Sequence, residues 1–255
     1  MEAALAADSQ VCSRLVFGYD GTAFKGWAMQ PGMRTVEGEL SFALQRILGR
    51  AVQLTVAGRT DTGVHAEAQV ASHAGEPATL AALNAVLPPD IVVSRSETAV
   101  SGFCARKDAT SRAYAYRVAP GPVRPLADRE RTLWWPKALD MDLLDRCAAL
   151  LPGQHDMTAF TPTKTLHRYF EPTILSAGWV RHGDRIEFMI ESNWFLRHMN
   201  RVLVGTMLDV ASGAMEFSEF EGLLNGRDRL SAGQTAQPHG LRLIGIGYGN
   251  RVINS

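Results

Sequence analysis

An order of strand, helix, strand, strand, helix, strand runs from Ser13 to Ser96, and it returns after Ser101. In the first pass Ser13–Tyr19 reads as a strand that stops at the turn Asp20-Gly21-Thr22. Val36, Leu40, Ala43, Leu44, Ile47 and Leu48 recur at helical spacing behind Thr35, a plausible N-cap. Val52–His73 holds two strand-like runs, Thr79–Leu87 a helix ended by Pro88-Pro89, and Ile91–Ser96 a strand. The second pass is looser. Ser111–Ala119 alternates as a strand, Pro120, Pro122 and Pro125 mark a loop, and Thr132–Trp135 is a short extra strand. Leu139–Leu151 follows as an amphipathic helix and Thr173–Val180 with Arg185–Glu191 as a hairpin. Trp194–Ser212 is predicted as the longest helix, Ser218–Leu224 as a shorter one, and Leu241–Tyr248 as the closing strand.

Two β-α-β-β-α-β runs predict an α+β chain of two ferredoxin-like halves, each with helices over one face of its sheet. The open sheet faces are expected to meet in a central cleft. The halves share no residue-level identity, so the repeat is one of order alone. The expected division is a disordered tail over 1–10, an N-terminal α+β domain over 11–103 and a C-terminal one over 104–255. With 255 residues, 46% hydrophobic and 20% charged, the chain has the means for a sizeable core. No apolar run approaches a membrane span, and Met1–Gln10 lacks the basic residues of a signal peptide. Cys12, Cys104 and Cys147 are an odd, widely spaced set, which argues against a disulfide framework and a thiolate metal site and fits a cytoplasmic setting.

Charge, turn chemistry and a titratable cluster coincide in Ala57–Ala66, AGRTDTGVHA. Gly58 breaks an apolar run, and Thr62-Gly63 turns the chain into a second strand, so Asp61 sits at a hairpin tip. Arg59 beside it would favour the ionised carboxylate, as a nucleophile or fixed base requires. On local grounds alone an Asx-type turn is the more economical account of Asp61.

A formal net charge of zero is unpromising for a nucleic-acid partner, which needs cations for its phosphates. Yet only Lys25, Lys107, Lys137 and Lys164 are lysines, so 22 of the 26 basic residues are arginine. Arginine forks phosphates and stacks on bases. A GC-rich genome produces the same skew without functional meaning. Phe103–Tyr116, FCARKDATSRAYAY, interleaves Arg106, Lys107 and Arg112 with Phe103, Tyr114 and Tyr116, the mixture an RNA-stacking surface needs. Tyr116 is better explained as core. Arg197 and Arg201, one helical turn apart, matter only if their face looks onto Asp61. Seven histidines show no HxxxH or HExxH pairing, and neither G-x-G-x-x-G nor a P-loop occurs, so neither a metal nor a nucleotide cofactor is expected.

YDGTAFKGW (Tyr19–Trp27), AGRTDTGVHA, LNAVLPPDI (Leu83–Ile91), FCARKDATSRAYAY, NWFLRHMNRVLVG (Asn193–Gly205) and GLRLIGIGY (Gly240–Tyr248) occur in that order. Together they resemble the TruA family of tRNA pseudouridine synthases, over nearly the whole chain. The resemblance implies the pseudouridine synthase fold, no cofactor, a homodimer, and isomerisation of uridines 38, 39 and 40 in the anticodon stem-loop of tRNA. It also implies Asp61 as the catalytic aspartate, Arg59 as the arginine that helps hold a flipped nucleotide, and Tyr114 packed on the base. Arg201 would pair with the aspartate and Leu241 would form an apolar wall, with Phe103, Arg106, Lys107 and Arg112 along the RNA. Cys104 stands where a histidine is usual, Thr62 where alanine is, and Thr163–Tyr169 diverges. Two other classes compete: a tRNA-binding protein that has lost the chemistry, and a two-carboxylate hydrolase using Glu67 as its second acid.

Overall fold

The first strand, β1 (Cys12–Tyr19), ends where Asp20 accepts a hydrogen bond from the Thr22 N–H at 3.0 Å, the turn its sequence calls for. This is a computed structural model that describes residues 11–249 and 251–254. The stretch 1–10, expected to be a disordered tail, lies outside them. Helix α1 (Val36–Leu48) starts where the Thr35 hydroxyl accepts from the Gly38 N–H at 3.3 Å, and it ends at Gly49. Then come β2 (Thr55–Val56), β3 (His65–Ala74), α2 (Leu80–Val86) and β4 (Ile91–Ala99). The second run is β5 (Ala109–Pro120), β6 (Leu133–Trp135), α3 (Met141–Ala149), β7 (Gly153–Gln154), β8 (Thr173–His182) and β9 (Arg185–Ser192). It closes with α4 (Met199–Ala211), α5 (Phe217–Leu223), β10 (Leu241–Tyr248) and β11 (Arg251–Asn254), the last pairing with β10.

The strand order is β4-β1-β3-β10-β5-β9-β8-β7, with β2 beside β3. The first run is thus ordered β4-β1-β3-β2 and the second β10-β5-β9-β8, the same arrangement twice, with antiparallel neighbours throughout each run. The predicted repeat of order is present. The way the halves meet differs from the expectation: they join edge to edge in one sheet rather than face to face. Strand β2 is only two residues long and covers one end of the β3 edge, pairing Thr55 with Ser72 and Val56 with Ala71. The other end would leave backbone donors and acceptors open, and β10 fills it in parallel, Arg242 beside His65 and Leu243 beside Ala66.

Charge ties the same seam. Arg242 on β10 reaches Glu67 on β3 (Nε–Oε1 2.7 Å) and Glu187 on β9 (Nη2–Oε2 2.7 Å), and Arg117 on β5 adds a contact of 3.2 Å to Glu187. His65 is buried there. Its Nδ1 accepts from the Gly21 N–H at 3.0 Å, so the ring proton sits on Nε2, facing the carbonyls of Glu130 and His239 at 3.0 and 3.2 Å. Burial pushes the His65 pKa down against the pull of Asp20, which keeps that tautomer neutral.

Helix α4 begins five residues later than the apolar pattern indicates, because Trp194–His198 is not helical. At 13 residues it matches α1 instead of exceeding it. Its buried residues include Met199, Val202, Leu203, Val204, Met207 and Leu208, which leave no polar stripe. It packs against α3 and α5 and is crossed by the segment 232–236. Among the described residues no helix is long and apolar enough to cross a membrane.

Candidate active site

The tip 57–64 leaves the sheet at the seam and is held from below. The Tyr19 hydroxyl is 2.7 Å from Thr60 Oγ1, and the Trp27 N–H donates to the Thr60 carbonyl at 3.1 Å. Gln69 on β3 donates to the Gly58 carbonyl at 2.8 Å. Gly26 adopts φ +88°, and a Cβ there would stand 3.0 Å from the Thr60 carbonyl oxygen. The block YDGTAFKGW is therefore the underside of the tip: its Tyr19, Phe24 and Trp27 interlock with the preceding Phe17, with centroids 5.8 Å apart for Phe17 and Trp27.

Arg112 completes the cradle in a way the sequence reading did not foresee. Its Nε and Nη2 donate to the Ala57 carbonyl (3.2 and 2.9 Å), Nη1 to those of Ala109 and Asn193 (3.0 and 2.7 Å), and Nη2 also to that of Arg106 (3.0 Å). All five guanidinium donors are spent on backbone, which leaves none for a phosphate. Its expected place along the RNA is corrected to that of a clamp between the tip, β5 and the segment before α4.

The Asp61 side chain turns to α4, not to an Asx turn. Arg201 Nη1 donates to Asp61 Oδ2 at 3.2 Å, while Arg201 Nε donates to the Ala236 carbonyl at 2.8 Å. His198 Nε2 lies 3.5 Å from the same Oδ2. Arg59, expected to hold the carboxylate ionised, is exposed and makes no ion pair with it among the described residues. Burial lowers the His198 pKa, with Arg201, Arg197 and Arg229 pushing the same way and Asp61 opposing.

These groups line a cleft of about 980 Å³. Tyr114 forms one wall, buried and edge-on to Phe195 at 5.2 Å, with Leu241 beside it at the start of β10. Burial raises the Tyr114 hydroxyl far above its ordinary range, so it stays protonated. Tyr116, by contrast, is fully buried and donates to the Gln237 carbonyl at 2.7 Å, a core role as read. Lys25, Arg59, Arg106, Arg112, Lys164, Arg197 and Arg201 surround the cleft against two carboxylates, Glu37 and Asp61. A neutral chain thus carries a locally positive cleft.

Asp61, Arg59, Tyr114, Arg201, Leu241 and Arg106 all come together at this cleft. Lys107 is exposed outside it. Phe103 is elsewhere, packed on Tyr248 at 5.3 Å with Arg14 over its ring, in a second depression with Cys12, His73 and Cys104. Glu67 is committed to Arg242, so the two-carboxylate alternative loses its second acid. Arg197 precedes the helix and does not share the Arg201 face by helical register. The sequence reading passed over His198 and Phe195. For His198 the missed signal is its spacing of three from Arg201.

An α+β fold of two like-ordered runs in one sheet, with a paired carboxylate in a basic cleft at their seam, defines the class. A family model described as tRNA pseudouridine synthase matches residues 147–249. A tRNA pseudouridine synthase A from Geobacillus sp. (strain WCH70) is 38% identical over 239 residues, covering 91% of this chain and 96% of its own. One from Neisseria gonorrhoeae (strain ATCC 700825 / FA 1090) is 39% identical over 240 residues, 92% of this chain and 91% of its own. One from Chromobacterium violaceum is 38% identical, covering 90% of each. The chain belongs to the tRNA pseudouridine synthase A family.

Proposed function

We propose that the protein isomerises uridine to pseudouridine in tRNA, at positions 38, 39 and 40 of the anticodon stem-loop, with Asp61 as the catalytic group. The observation that carries this is the Asp61–Arg201 pair, set 3.2 Å apart at the base of a positively lined cleft. The reaction breaks the bond between uracil N1 and the ribose, turns the base, and joins its C5 to the same sugar carbon. The C5 proton leaves and N1 gains one, so atoms balance without a cofactor. An ionised carboxylate serves either as nucleophile at the sugar or as base toward its C2′ proton.

The remaining side chains fit the needs of such a step. A base drawn out of a stem costs a few kcal/mol, and stacking on an aromatic returns about 1–3 kcal/mol. Tyr114 supplies that stack, Leu241 closes the apolar side, and Arg59 enters the space the base has left. Arg201 keeps its guanidinium on the Asp61 carboxylate at 3.2 Å, where it can stabilise charge once RNA has expelled water from the cleft. Arg106, with Lys107 further out, meets the backbone. The halves 11–103 and 104–255 act as two domains that bring Asp61 and Arg201 together. A tRNA spans far more than this cleft, and several arginines must converge on its phosphates. A homodimer supplies that second surface, in the cytoplasm where tRNA is matured.

Mapping pseudouridine by carbodiimide-blocked primer extension on tRNA incubated with the protein tests the reading. Stops are expected at 38, 39 or 40 with wild type and none with Asp61→Asn, which retains tRNA affinity. Unmodified tRNA after incubation with wild type would overturn it. Sedimentation at working concentration is expected at twice the 27.8 kDa chain mass.

A further inference from the structure

His198 has a backbone that needs a reason. Its φ of +60° is the only left-handed one among the described non-glycine residues, a conformation that strains a bulky side chain. It occupies the N-cap position of α4, where a side chain ordinarily accepts a backbone N–H, yet its ring makes no such bond. Only its carbonyl serves the helix, accepting from the Arg201 and Val202 N–H groups at 3.0 Å each. The residue before it is anchored separately, the Arg197 N–H donating to His167 Nε2 at 3.4 Å. The kink therefore aims the ring away from its own helix. It delivers Nε2 to within 3.5 Å of Asp61 Oδ2, the oxygen that Arg201 Nη1 already holds at 3.2 Å.

The consequence is a division of labour between the two carboxylate oxygens. Two donors from one turn of chain, three residues apart, converge on Oδ2. Among the described residues no donor is recorded on Oδ1. Resting on the assignment of Asp61 above, we propose that His198 is a positioning residue: as a neutral imidazole protonated at Nε2, it fixes Oδ2 together with Arg201 and presents Oδ1 to the sugar of the target nucleotide. With the Arg201 hydrogen bond on one side of Oδ2 and His198 Nε2 at 3.5 Å on the other, rotation of the carboxylate is restrained, which a single guanidinium contact leaves free about its own axis. The ring is kept neutral by its surroundings. Arg201 on its own helix, Arg197 beside it and Arg229 from the turn Arg229–Ser231 all disfavour a further positive charge, and Asp61 alone favours it. When acid protonates the ring, two cations bear on one oxygen and the carboxylate loses reactivity toward the sugar.

Three substitutions separate this from a purely structural role. Glycine relaxes the left-handed backbone and removes the ring. Asparagine tolerates that backbone but is too short to place an N–H where Nε2 stands. Glutamine places one there and does not titrate. Single-turnover and steady-state isomerisation of tRNA are measured from pH 5 to 8 for wild type, H198G, H198N and H198Q. H198G and H198N are expected to lose about 10- to 100-fold in kcat, the range of one hydrogen bond to a charged group, with KM for tRNA and melting temperature little changed. H198Q is expected to recover most of kcat, with the acid limb of its profile moved to lower pH because the imidazole no longer titrates. Wild-type kcat in H198G, a loss confined to KM, or H198Q as impaired as H198G would overturn the inference and leave the assignment of Asp61 standing. Turnover by Asp61→Asn in the same assay would overturn both.

Discussion

Arg201 and Asp61 stand 140 positions apart in the chain and 3.2 Å apart in space. One comes from the first turn of α4 and the other from the tip between β2 and β3, and the β3–β10 seam makes them neighbours. The guanidinium is oriented before it meets the carboxylate, because Nε is fixed on the Ala236 carbonyl at 2.8 Å.

Arg201→Ala should therefore reduce kcat by about 100-fold or more, the scale for one donor to a reacting charge, and change tRNA affinity little. Arg201→Lys should not restore it, since an ammonium cannot hold the Ala236 carbonyl and Asp61 in one plane. Single-turnover rates at saturating enzyme, compared with filter-binding affinities, check both. A lysine variant within a few-fold of wild type would refute the two-point account.

Much of this arrangement was legible in the chain, and for reasons that differ element by element. Asp61 at a hairpin tip followed from Gly58 and Thr62-Gly63, because turn chemistry is local. The repeated order followed from periodicity, and α1 from its Thr35 cap. The edge-to-edge union was not legible. It depends on β2 stopping after two residues, and nothing in Val52–Val56 marks where its pairing with β3 ceases. The start of α4 was misplaced for a similar reason. Trp194–Leu196 continues the apolar pattern, and the left-handed turn at His198 is not written in it. Arg112 looked like an RNA contact because five hydrogen bonds to four backbone carbonyls, two of them on distant Ala57 and Asn193, are invisible to a pattern of arginines and aromatics.

Gly205 sits one turn after Arg201, where a Cβ would stand 1.8 Å from the Gln234 carbonyl oxygen. Helix propensity alone predicts that Gly205→Ala stabilises α4 by about 1 kcal/mol. The clash is with backbone, so the segment 232–236 must move instead, and overpacking of this kind costs about 1–3 kcal/mol. The steric effect should win. Melting is expected to fall by several degrees at roughly 2–4 °C per kcal/mol, and kcat with it, because the Ala236 N–H also donates to the Arg201 carbonyl at 3.0 Å and the Ala236 carbonyl accepts from Arg201 Nε. An unchanged or raised melting temperature would show that the segment yields freely.

Arg112 and Arg106 should part company in their response to salt. With every donor of Arg112 on backbone carbonyls, Arg112→Lys is expected to lower the melting temperature and leave the slope of log affinity against log salt unchanged. Arg106→Ala and Arg59→Ala, exposed at the cleft, should each reduce that slope by about one, with little effect on melting. Equal slopes for all three variants would remove Arg106 and Arg59 from the RNA surface.

Glu187 gives the seam a pH dependence whose sign can be worked out. Burial raises its pKa, but the hydrogen bond from Arg242 and the charges of Arg242 and Arg117 outweigh that, so the folded value lies below the ordinary carboxylate value. A depressed folded pKa means stability fully present above the unfolded value, about 4.3, and lost as pH falls through the folded one. Glu187→Gln removes the anion and leaves Arg117 and Arg242 facing an amide. At pH 7 the variant should be less stable by roughly 2–3 kcal/mol, below the range for fully buried pairs because Arg117 is 36% exposed. Its stability should then change less with pH than that of wild type below about pH 4.5, so that the two curves approach each other in acid. Chemical denaturation from pH 7 down to 3 reads this directly. Parallel curves over that range would mean that Glu187 carries no pH-dependent share of the union between the halves.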